Sequence, residues 1–188
     1  MDWDFDEEIG QAELEGRSLA IRLKARFSEE EYGELDGHSE LIPISSRRGR
    51  RTYVLAKPYI LEPEISLKVG LYPEPRKDGA IGEVIGIDWK GMREIEIGRA
   101  QAWHYGQDKT LLLWGCYLYE PYREKDPLKD RNLKLVWQSF EELLKERFLP
   151  RKIFTPSWEP IYEEALWQEF LRSQGYRDLP GRVSVKEN

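Results

Sequence analysis

Apolar and polar positions alternate from Ser18 to Phe27, with Leu19, Ile21, Leu23, Ala25 and Phe27 on one side, and this period of two predicts the first clear β-strand. The acidic stretch Asp2 to Glu15 reads as an arm or as a short helix sharing Phe5, Ile9 and Ala12 on one face. Ser28 to Arg51 reads as a loop with one helical turn at Ser28 to Tyr32, since it holds Gly33, Gly37, Pro43 and the run Arg47-Arg48-Gly49-Arg50-Arg51. Arg51 to Leu61 and Ile65 to Leu71 give the second and third strands, and Tyr72 to Gly79, with two prolines, gives a turn. Glu83 to Trp89 forms a short strand that stops at Lys90-Gly91. Two longer strands follow, Arg93 to Tyr105 and Thr110 to Tyr119, joined by a hairpin turn at Gly106 to Lys109. In the second of them Leu111, Leu113, Gly115 and Tyr117 point one way, and Leu112, Trp114, Cys116 and Leu118 the other. Both faces are apolar, which puts this strand mid-sheet with cover on each side.

The period then changes to that of a helix. Leu133, Val136, Trp137, Phe140, Leu143 and Leu144 form one stripe between Asn132 and Phe148, with Asp130 placed as N-cap. Arg151 to Thr155 is a short strand stopped by Pro156. A second helix runs from Ser157–Pro160 to about Gln174, turning in Tyr162, Ala165, Leu166 and Phe170, with Gly175 at its stop. Arg182 to Lys186 supplies a last strand. Two strands joined through one helix imply a parallel pair with a right-handed crossover, and the antiparallel first half makes the sheet mixed.

Composition narrows the function classes. A chain of 188 residues suits one domain, here 17–188 behind an acidic segment 1–16. Met1 to Gly16 carry seven acids and no base, the opposite of a secretory or organellar signal, so the cytosol is the expected location. No apolar window is long enough to predict a membrane span. One cysteine, Cys116, excludes an internal disulfide framework, and with only His38 and His104 beside it no metal site is expected. The net charge of −6 disfavours a general nucleic-acid binder. Seven Trp and ten Tyr, most of them after Trp89, suit cores, pockets and interfaces alike.

Thr110 to Arg123, the helix after it, Arg151-Lys152-Ile153-Phe154-Thr155, and the helix ending Phe170 to Tyr176 together resemble the core of the GNAT N-acetyltransferase family. The resemblance spans roughly 83–178. It implies an α/β fold: a mixed, largely antiparallel sheet with a parallel strand–helix–strand crossover and helices on both faces. It also implies transfer of an acyl group from acetyl-CoA or another acyl-CoA to a primary amine, on a small molecule or a peptide. Glu96 or Glu94 would be the base. Backbone groups near Leu118 and Tyr119 would hold the pantetheine, and Arg123 with Lys125 would meet the phosphates. The family's glycine-rich phosphate turn corresponds here to Glu120 to Asp130, which has no glycine and carries three acids after Arg123. The tyrosine that many members place four residues before the terminal glycine is Leu171 here.

Individual residues leave two readings open. Alternation sets Glu96 on a face with Gly98, Ala100 and Ala102, small residues that leave room for a cleft, while a solvated pairing of Glu94 and Glu96 with Arg93 or Arg99 is the plainer reading. His104 reads as an edge residue and Cys116 as a buried, inert thiol. Thr155 to Tyr162 follows the C-terminal end of a strand, where open α/β sheets bind ligands, so Trp158, Glu159 and Tyr162 are candidate binding residues beside Trp89 and Trp103. The rival to a transferase is therefore a non-catalytic module whose aromatic cleft binds a protein or peptide. Contact of Arg47 to Arg51 with nucleic acid comes last, and self-association as a homodimer is open.

Overall fold

The acidic N-terminal segment is a strand, Phe5–Leu14 (β1), rather than a helix or an arm. It pairs antiparallel with Arg17–Tyr32 (β2), and Asp6 gains a partner across the ladder in Arg22, whose Nε donates to it at 2.9 Å. The ladder bulges between Glu8 and Gly10. Gly10 has φ 157°, and a Cβ there would stand 2.9 Å from Leu135, so glycine lets this strand lie against a helix. The computed structural model describes residues 2–14, 16–34, 36–75 and 81–188, with backbone alone for 67–75 and 81–90.

The strands expected at Arg51 to Leu61 and Ile65 to Leu71 are one, Gly49–Pro75 (β3), antiparallel to β2 and paired also with Ile81–Glu96 (β4). The expected turn at Tyr72 to Gly79 lies partly in strand β3 and partly, from residue 76, outside the described residues. The chain divides into two compact units, Leu61–Ile95 and the remainder. In the smaller, Arg93 pairs with Glu62 at 2.6 Å and Ile65 and Met92 are exposed.

In the larger unit Gly98–Tyr105 (β5), Thr110–Leu118 (β6), Arg131–Phe148 (α1), Lys152–Pro156 (β7), Glu164–Ser173 (α2), Arg177–Leu179 (β8) and Val183–Glu187 (β9) follow. The strand order is β1-β2-β3-β5-β6-β7-β9-β8. β6 and β7 are parallel with α1 between them in sequence, and the ladders β1–β2, β2–β3, β3–β5, β5–β6, β7–β9 and β8–β9 are antiparallel. α1 begins where Asp130 accepts from the N–H of Leu133 at 2.8 Å, and ends at Leu149 in the left-handed region with Pro150 behind it. α2 starts at Glu164, later than the helical spacing from Ser157 suggests, because Ser157 to Glu163 bend and turn instead, with the Tyr162 N–H on the Glu159 carbonyl at 3.0 Å.

The GNAT-like fold with helices on both faces is not what the chain adopts. Among the described residues about half is strand, in a nine-stranded mixed sheet, and the helices are two, of 18 and 10 residues. Both helices lie together: Trp137 of α1 meets Trp167 and Phe170 of α2 at 5.7 and 5.5 Å between ring centroids. Phe148 of α1 stacks on His104, which places α1 on the face that His104 shares with its cross-strand partner Leu111. The opposite face is covered by the segment 36–48, whose Ile42 is buried with Tyr32, Tyr105, Leu112, Phe154, Val183 and Val185. No helix among the described residues is long and apolar enough to cross a membrane.

Candidate functional site

A cavity of about 240 Å³ opens where β6 and β7 part company. Their parallel ladder joins only Thr110–Leu112 to Lys152–Phe154, although β6 runs on to Leu118 and β7 to Pro156. The walls of the wedge come from Gln101, Trp114 and Tyr117 on one side, and from Pro156, Trp158 and Glu159 on the other.

A bulge explains how β6 supplies two aromatic rings. Gln101 pairs with Gly115 but Ala102 pairs with Leu113, which leaves Trp114 as the extra residue. Simple alternation sends Trp114 and Tyr117 to opposite faces; the inserted residue brings them to the same one, while Leu113, Cys116 and Leu118 remain buried on the other. Trp114 is held from behind by Trp103 at 6.1 Å and by His38 at 4.8 Å. Gln101 is held by Tyr53, whose hydroxyl accepts from its Nε2 at 2.9 Å.

The opposite wall is fixed by its backbone. Ser157 donates its N–H to Arg182 and shares a 2.8 Å hydrogen bond with Ser184, and the carbonyl of Pro156 accepts from the Trp167 indole. Trp158 therefore projects with 42% of its surface exposed. The Glu159 carboxyl beside it makes no hydrogen bond or ion pair among the described residues, and its Oε2 would lie 3.9 Å from a Cβ on Gly115. Burial without a partner pushes its carboxyl up to about 7.

The other candidates are placed differently. Glu96 accepts from Lys57 Nζ at 2.8 Å and from the Tyr119 hydroxyl at 2.7 Å. Burial would raise its pKa, but these two bonds carry it below the ordinary carboxylate range, the wrong direction for a base at neutral pH. Tyr119 in turn is pushed up to about 12 by burial and by Glu96. Glu94 is exposed and belongs to the smaller unit, and both glutamates lie on β4 rather than on the strand beside β6. The side chain of Trp89 lies outside the described residues. Trp103 packs behind the wedge, and Tyr162 is buried and stacked on Trp167, its hydroxyl without a partner among the described residues.

At the expected phosphate turn Arg123 pairs with Glu120 at 2.6 Å, Lys125 is exposed and Pro127 is buried, beside a cavity of about 560 Å³ that Arg123, Lys129 and Arg131 help to line. Asp130 accepts from the N–H groups of Leu133 and Glu124, so its carboxylate occupies the position an anion would take at the start of α1. Leu118 is buried, and the Tyr119 N–H is taken by the carbonyl of Ile97. In the basic run, Arg48, Arg50 and Arg51 each meet an acid between Glu30 and Asp36. Among the described residues no group of three or more His, Cys, Asp or Glu is arranged to hold a metal ion.

No family model, no curated protein and no solved structure matches the chain, and nothing in these comparisons ties it to the N-acetyltransferases.

Gln101, Trp114 and Tyr117 were not singled out by the sequence as site residues. The only signal for them is the length of an apolar strand that outruns its parallel neighbour.

Proposed function

We propose that this chain is a binding module that takes an amine-bearing peptide or protein segment into the wedge between β6 and β7. The observation that carries the reading is Glu159, a half-buried carboxyl without a partner, set among Trp114, Tyr117 and Trp158. A cation supplies the charge that Glu159 lacks, and aromatic faces attract it further, at about 0.5–2 kcal/mol per ring contact. The open mouth and the exposed Trp158 suit an extended chain that inserts one side chain.

The reading gives a definite pH dependence. The cation binds the ionised carboxylate, whose pKa is about 7 in the empty site and lower once paired. Affinity for a capped lysine peptide should therefore rise roughly tenfold from about pH 6 to about pH 8, with proton release on binding. Calorimetry in buffers of different ionisation enthalpy measures both. Glu159→Gln should bind weakly and show no such rise; a norleucine peptide that binds as well as the lysine peptide would sink the reading.

A second reading, acyl transfer to the bound amine, is favoured by one feature: a carboxyl that titrates near neutrality is suited to accept a proton from an ammonium group. Against it stands Asp130 in the place of a pyrophosphate. We expect no heat when acetyl-CoA is titrated to millimolar concentration. A micromolar dissociation constant would establish the donor site and make transfer the better account.

A further inference from the structure

The wedge holds a second acceptor whose position bears on which cations fit. Gln101 shares the cavity wall with Glu159, and its amide is engaged at one end by Tyr53. Nε2 donates to the Tyr53 hydroxyl at 2.9 Å, and this is the single hydrogen bond of the Gln101 side chain among the described residues. Oε1 is thereby left as the end of the amide with lone pairs to offer. Tyr53 is itself fixed, since its ring packs on Trp103 at 5.2 Å, and Trp103 packs on Trp114. The cavity thus presents one charged acceptor, Glu159, and one neutral acceptor, Gln101, among rings that attract positive charge without requiring a hydrogen on it.

We propose that Gln101 is a specificity-determining residue which makes the wedge select cations bearing N–H groups over fully methylated ones. The inference rests on the amine reading above. An ammonium or guanidinium group can donate to Gln101 Oε1 while its charge meets Glu159. A trimethylammonium group keeps the charge and the ring contacts but has no proton for Oε1, and it covers that oxygen with methyl groups. An acceptor cut off from water without a donor weakens binding by about tenfold or more. Rings alone would not disfavour the quaternary ion, and Glu159 is common to parent and variants, so the part of the gap that is lost when Gln101 or Tyr53 is changed reports on Gln101.

The test is calorimetric titration of the full chain with three capped peptides that differ at one side chain: lysine, Nε-trimethyllysine and norleucine. The expected result is that lysine binds about tenfold tighter than trimethyllysine, and that both exceed norleucine. In Gln101→Leu the lysine peptide should weaken and the gap between the two cations should narrow severalfold, with Glu159 sustaining what remains. Tyr53→Phe, which keeps the ring and releases the amide, should also narrow the gap, so the result does not hang on one variant folding. Trimethyllysine binding as tightly as lysine in the parent protein, or a gap unchanged in both variants, would overturn the assignment of Gln101. If neither cation exceeds norleucine, the amine reading itself fails, and that outcome is distinct from the other two.

Discussion

Replacing Trp137 with alanine should destabilise the protein by about 3–5 kcal/mol, the range for removing a large aromatic side chain from a filled core. The ring is fully buried in α1 and stands edge-on to three others: Trp167 and Phe170 of α2, and Tyr176 at 5.9 Å. Edge-to-face contacts add roughly 0.5–1.5 kcal/mol each to the area that such rings bury. Tyr176 and the two α2 rings are also buried, so they cannot close the space without moving the helix itself. For a protein whose whole stability is on the order of 5–15 kcal/mol, the loss is a large share. Urea unfolding of Trp137→Ala against the parent chain measures it. A cost under about 1 kcal/mol would mean that α2 is held by its strand contacts rather than by α1.

Much of this packing is legible in the sequence, because the helical period of Leu133, Val136, Trp137 and Phe140 is a local property. So are the N-cap at Asp130 and the turn at Gly106 to Lys109. What fails is whatever depends on partners distant in sequence. The acids of β1 discourage a strand in isolation, yet Arg22 and Lys24 across the ladder accommodate Asp6. Polar residues at Glu62 to Glu64 look like a break, but β3 continues through them. The bulge at Trp114 is invisible because it arises from register with β5, and it alone reassigns every later residue of β6 to the other face. Helices on both faces came from the family resemblance and not from the period. A central strand apolar on both sides requires cover, and here α1 supplies it on one side and the loop 36–48 on the other.

Two carboxylates illustrate why the site was only half visible. Glu96 and Glu159 are each flanked by apolar and aromatic residues in the sequence, and nothing local ranks them. The fold brings Lys57 and Tyr119 to Glu96 and brings no donor to Glu159. A charge with partners is structural; a partly buried carboxyl without one is held at a cost to the folded state, and such costs gather at binding sites. The expected ligand is the group that removes the cost, which is why an amine follows from Glu159 and not from Glu96.

Glu141 is the opposite case, and its loss should be nearly as damaging as that of Trp137. Its carboxylate is buried in α1 and accepts from Lys186 at 2.6 Å, Lys145 at 2.5 Å, the Tyr176 hydroxyl at 3.0 Å and the Trp137 indole at 3.3 Å. Lys186 comes from β9, so this one side chain joins the helix to the far strands of the sheet. Glu141→Leu keeps the volume but strips the partners from a buried hydroxyl and indole, and should cost roughly 3 kcal/mol at neutral pH. Acid should reproduce the effect in the parent chain. Burial alone would raise the Glu141 pKa, but the two lysines hold it below the ordinary range. Its contribution is therefore complete above the unfolded pKa of about 4.3 and is lost as pH falls through the lower folded value. Unfolding curves of parent and variant should stay apart by a constant amount from neutrality down to about pH 5 and converge below about pH 4. A gap that persists in acid would show that the carboxylate acts through its shape and not through its charge, and that the lysines of α1 and β9 find other partners.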